Sequence, residues 1–83
     1  MLPLVKSEHT IPRYFFHLRD GREFLDHEGT ELSGSDEARA QAVVHSGEVL
    51  KESGAKFWKG EEWRLWVTDD AGVTVCALRF IAE

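Results

Sequence analysis

His17, Asp26, His27 and Glu28 come nearest, by type, to a metal or acid–base site. A tight turn at Asp20-Gly21 would set their two segments side by side, and imidazole and carboxylate groups bind zinc or carry protons. Strand alternation divides the set, however: His17 points with Phe15 to one side, while His27 shares the other with Tyr14. The spacing fits no ligand motif, so the four read as surface turn residues and no metal ligand is assigned. Cys76 and His17 have the composition of a nucleophile and its base, if both reach an uncovered sheet face. A lone cysteine in an apolar strand more commonly serves as a small hydrophobe. Ser33, Ser35, Ser46 and Ser53 have no nucleophile-elbow context, and the glycines are scattered at turns rather than gathered into a phosphate loop. The reading is therefore non-enzymatic, with no catalytic residue and no cofactor.

A third chemistry is recognition. Arg13, Arg19, Arg22, Arg64 and Arg79 lie in or beside extended segments. With Phe15, Trp66 and Phe80 they could form a platform on which bases stack. Charge opposes this: 15 acidic residues against 10 basic ones give a net charge of -5, and phosphate binding favours a basic surface. Nucleic acid is disfavoured as a partner. Weak nucleic-acid or small-ligand binding through Arg and aromatic side chains stands as the alternative reading.

The element that must position these groups is a helix between Ser33 and Gly54. Ser35 suits the N-cap, Asp36 and Glu37 suit the positive end of the helix dipole, and Gly54 suits the stop. Ala38, Ala42, Val43, Ser46, Val49 and Leu50 fall on one side at 100° per residue. That side is small in the middle and lets the helix approach a sheet closely. Gly47 costs roughly 1 kcal/mol against Ala in a helix interior; it is either tolerated drift or the mark of a neighbouring chain packing close there.

Extended runs flank the helix. Arg13 to Arg19 alternates Tyr14, Phe16 and Leu18 against Phe15, His17 and Arg19. Asp20-Gly21 is the strongest short hairpin signal, and a two-residue turn pairs Arg19 with Arg22 and His17 with Phe24. The second strand then covers about residues 22–26. Phe57 and Trp58 are too apolar for a free loop and should bring at least one ring to an end of the core. Trp63 to Asp69 forms a third strand, and Asp69-Asp70-Ala71-Gly72 a turn with Gly72 in a left-handed position. That turn sets Val67 opposite Val75 and Leu65 opposite Ala77, with the fourth strand running from Val73 to about Ile81. The fold class is α+β, ββαββ: a four-stranded antiparallel sheet with one helix on one face. A right-handed crossover favours the strand order second, first, third, fourth, with second, first, fourth, third as the main competitor.

On that register both faces of the second hairpin are apolar, and one helix covers only one face. The uncovered face would carry Phe15, His17, Trp66, Cys76, Leu78 and Phe80, more apolar surface than monomers usually show. Either the tail and the Phe57-Trp58 loop cover part of this face or another chain does; the favoured expectation is a small interaction module, a homo-oligomer and most simply a dimer, docking through it, with an unidentified protein partner as a further possibility. The 83 residues suit a single domain over 12–83 behind a flexible arm over 1–11. A lone cysteine fits a reducing compartment, and no run is long and apolar enough to span a bilayer. Those features point to a cytoplasmic protein with no membrane association.

The run Pro12-Arg13-Tyr14-Phe15-Phe16-His17-Leu18-Arg19-Asp20-Gly21, followed by Asp26-x-Glu28-Gly29-x-Glu31-Leu32, resembles the opening of a family of small bacterial proteins of unknown function. Its members typically begin Met-Pro-Arg-Tyr-(Phe/Tyr)-Phe-His, continue through an Ala-rich helix and close with a Val-Thr-Asp-x-x-Gly hairpin. Val67 to Gly72 matches that hairpin. The resemblance covers about Pro12 to Phe80. The residues before Pro12 and the Phe57-Trp58 loop depart from it. It implies domain extent and brings no activity, cofactor or site residue.

Overall fold

The computed structural model describes residues 11–60 and 62–83. All of the arm expected over 1–11 except Ile11 therefore lies outside the described residues. Strand β1 (Arg13–Arg19), two short strands β2 (Glu23–Phe24) and β3 (Thr30–Glu31), helix α1 (Ser35–Ser53), a one-turn helix α2 (Lys56–Lys59) and strands β4 (Trp63–Asp69) and β5 (Thr74–Phe80) follow in chain order. They build one open antiparallel sheet in the order β2-β1-β4-β5, with β3 also pairing β1. This is the α+β architecture and the strand order read from the sequence, with β3 added.

Helix α1 starts one residue earlier than a Ser35 cap requires. Gly34 occupies the N-cap position and no side chain caps the helix there. Instead Glu37 reaches back and its carboxylate accepts the N–H of Ser33 at 2.7 Å. That bond holds the Glu37 carboxyl below its usual range. Gly54, at φ 52°, ends the helix and donates its N–H to the Leu50 carbonyl. Ala38, Ala42 and Ser46 are the buried residues of α1. Val43, expected among them, is 61% exposed and stands at the rim of the packed stripe.

Tyr14, Ala38, Ala42, Leu65 and Val67 form the core, with Phe16, Leu18, Leu32, Cys76 and Leu78 packed around it. In α2, Phe57 turns its ring edge-on to Trp63 at 5.6 Å, while Trp58 remains exposed. One of the two rings thus closes an end of the core.

Two registers differ from the expected ones. In the first hairpin Arg19 pairs with Glu23 and Leu18 with Phe24, so the connection is three residues long. This places a carboxylate opposite Arg19, at 2.6 Å, where the shorter turn would set Arg22 against it. Like charges directly opposite one another destabilise a sheet, so the observed pairing is the better one. In the second hairpin Thr68 pairs with Thr74, as the turn alone dictates. A β-bulge between Val67 and Thr68 then moves every later pair by one, so that Val67 meets Cys76, Leu65 meets Leu78 and Trp63 meets Phe80.

Candidate functional site

Because paired residues share a face and a one-residue slip exchanges faces, the bulge decides what the sheet shows to solvent. On the helix-side face the cross-strand rows are Phe16–Val67–Cys76 and Leu18–Leu65–Leu78, with Trp63–Phe80 beyond. On the opposite face they are Phe15–Thr68–Thr74, His17–Trp66–Ala77 and Arg19–Arg64–Arg79. The six residues read as one docking surface are therefore divided. Phe15, His17 and Trp66 stay on the outer face, whereas Cys76, Leu78 and Phe80 turn toward the helix. The outer face mixes polar with apolar side chains, where the helix-side rows are apolar throughout.

Its rings are also partly covered by their own chain. Gly29, at φ 74°, passes so close to Phe15 and Arg13 that a Cβ there would stand 2.8 Å from both side chains. Trp66 has the His17 ring 5.2 Å away on one side, and the Arg64 guanidinium carbon lies 5.6 Å from its centroid, a cation–π contact.

His17 is held at both ring nitrogens. Its Nδ1 accepts the backbone N–H of Asp26 at 3.1 Å, which leaves the proton on Nε2 to be donated to Thr68 Oγ1 at 2.9 Å. Burial lowers the His17 pKa from its ordinary value, against an opposing pull from the Asp26 charge. The Asp26 carboxylate in turn takes the place of a ladder partner between β2 and β3. Oδ2 accepts from Phe16 N–H at 3.1 Å, and Oδ1 from the N–H groups of Glu28 and Gly29 at 3.0 Å each. Burial alone would raise the Asp26 pKa, but those three donors outweigh it and the net shift is downward.

Asp26 borders a cavity of about 310 Å³ with Phe16, Thr30, Gln41 and His45, where α1 leaves the β1 edge uncovered. A carboxylate occupied by three donors is a weak base, so its part here is to staple the loop. His27 and Glu28 are exposed loop residues. No group of three or more His, Cys, Asp or Glu residues among the described residues is arranged to hold a metal ion. The sheet separates Cys76 from His17, so they do not meet as nucleophile and base. Burial pushes the Cys76 thiol pKa up, against a smaller pull from Arg39. Protonated thiol is a poor nucleophile.

A third feature lies at the β5 edge. Val43, Ser46, Gly47, Leu50, Leu78 and Phe80 line a groove of about 260 Å³ between α1 and β5. Val73 and Ile81, at either end of β5, are both exposed. Sequence reasoning missed both this groove and the arginine row, since each depends on the bulge. The Asp26 staple had a visible signal in Asp26-x-Glu28-Gly29, a turn in which a carboxylate caps nearby N–H groups.

An open antiparallel sheet with one covering helix defines a small α+β domain. The chain belongs to the family described as a domain of unknown function (DUF6894), whose model matches residues 13–81. Neither the curated proteins nor the solved structures contain a match. Among the described residues, no helix is long and apolar enough to cross a membrane.

Proposed function

We propose that this domain is a non-enzymatic interaction module that self-associates, and that the contact is the β5 edge with its neighbouring groove, not the outer sheet face expected from the sequence. The observation that carries the reading is an edge strand flanked by apolar side chains. Beyond the bulge, Cys76–Phe80 runs regularly at the end of the sheet, where backbone N–H and C=O groups lack a strand neighbour among the described residues. Natural edges are commonly blunted by proline, charge or a β-bulge. This one has the bulge at its start and Arg79 on the outer face, but Cys76–Phe80 carries no proline and no inward-pointing charge.

An antiparallel edge is complementary to itself about a two-fold axis, so a second copy is the simplest occupant. Pairing would also set Val43 and Gly47 of one copy against the same stripe of the other. The reading keeps the bacterial, cytoplasmic setting expected from the sequence, including the Pro-Arg-Tyr-Phe-Phe-His opening as a family hallmark.

Sedimentation equilibrium across a concentration series tests it, with Val43→Glu as the variant, since that side chain is exposed in the single chain. The expected result is a wild-type dimer and a monomeric variant with an unchanged circular dichroism spectrum. Added salt should strengthen the dimer by screening the net charge of -5 on each copy. A wild-type monomer at every concentration, or a variant that dimerises equally well, overturns the reading.

A further inference from the structure

We infer that the outer face of the sheet holds a binding site for a compact phosphate ester with a planar ring, of mononucleotide size, centred on Arg64. Arg19, Arg64 and Arg79 stand directly opposite one another on three adjacent strands. Neighbouring strands lie about 4.8 Å apart, so the row spans roughly 10 Å and concentrates positive charge in a chain that is acidic as a whole. Like charges in opposed positions repel, and the row needs anions to offset them.

The outer two arginines have them at the rim. Arg19 bonds Glu23 at 2.6 Å, and Arg79 stands 3.8 Å from Glu62. Among the described residues the central Arg64 has no carboxylate within ion-pair distance, and its contact is the Trp66 ring. Its planar fork of N–H donors suits the oxygens of a phosphate. The adjoining row on the same face supplies Trp66 and His17 beside the arginines. The acidic surroundings favour a compact ligand, because a long polyanion would bring further phosphates against the carboxylates. This site is separate from the β5 edge, and its test does not depend on self-association.

The test is a titration of the ¹⁵N-labelled chain at low salt, followed through the Arg64 Nε–H and Trp66 indole N–H signals. Inorganic phosphate, AMP and a short single-stranded oligonucleotide are the probes. The expected result is a saturable shift of both signals, with AMP binding at least tenfold tighter than phosphate. Arg64→Gln should lose at least tenfold in AMP affinity, while Lys51→Gln in the helix should retain wild-type affinity. Shifts centred on the lysines, no shift at Arg64, or unchanged affinity in Arg64→Gln overturns the site. Equal binding of phosphate and AMP overturns the role of the aromatic row. Tighter binding of the oligonucleotide per site than of AMP overturns the compact ligand in favour of a nucleic-acid strand.

Discussion

The backbone N–H of Asp26 donates to Nδ1 of His17 at 3.1 Å, and the same Asp26 side chain accepts the N–H of Phe16, the residue before His17. Backbone and side chain of one residue thus fasten a loop to two consecutive positions of β1. The bond to Nδ1 requires a neutral imidazole, because a protonated ring would present N–H to N–H.

Stability should therefore depend on His17 titration. Its folded pKa lies below the ordinary 6.5, with burial as the largest cause. Between those two values the unfolded chain binds more protons than the folded one, so stability rises with pH there. The contribution is complete above 6.5 and is lost as pH falls toward and below the folded pKa. Urea unfolding midpoints should fall between about pH 7 and about pH 5, and His17→Gln should flatten the dependence in that window. Equal pH dependence in the variant would remove His17 as its source.

Removing the carboxylate should cost more than a surface substitution. In Asp26→Ala, the part-buried N–H groups of Phe16 and Gly29 and the exposed one of Glu28 lose their acceptor, and a destabilisation of about 2–3 kcal/mol is expected. Asp26→Asn keeps one carbonyl oxygen and should lose about half as much. Chemical denaturation measures both, and hydrogen exchange at Phe16 should accelerate in the alanine variant. A change below about 0.5 kcal/mol in Asp26→Ala would mean that water replaces the carboxylate without loss.

Gly29 and Gly21 both have positive φ, but only Gly29 is also crowded. Gly29→Ala would place a methyl 2.8 Å from Arg13 and Phe15 carbons, adding displacement to backbone strain. The expected loss is roughly 1–3 kcal/mol, with Gly21→Ala at the lower end because nothing lies near its Cβ. Comparing the two melting temperatures separates steric from backbone effects, and equal losses would show that crowding contributes nothing.

The sequence carried most of the architecture, and the physical limit is visible at particular residues. Trp63 to Asp69 alternates cleanly, Gly72 marks its turn, and small residues at Ala38, Ala42 and Ser46 mark the buried stripe of α1. Register was less legible, because it depends on single residues at turns and bulges. One extra residue at Val75 exchanged the faces of Cys76, Leu78 and Phe80, and with them the surface those residues were expected to build. β3 was missed because two residues carry no periodicity, and its pairing depends on the Asp26 staple holding the loop against β1.

Gly47 joins the helix to the question of self-association. Nothing lies within 4 Å of a Cβ built there, and the residue sits in the interior of α1 on the groove beside β5. In the isolated chain Gly47→Ala should therefore stabilise the helix by about 0.5–1 kcal/mol, through reduced backbone entropy in the unfolded state. If a second copy packs into the groove, the added methyl must displace it, and the dimer dissociation constant should rise several-fold. The two effects have opposite signs and separate with concentration. Thermal unfolding of dilute protein should show a raised midpoint, and the variant should lose that advantage over wild type as the protein is concentrated. An advantage constant across concentration would show that no second chain packs against Gly47.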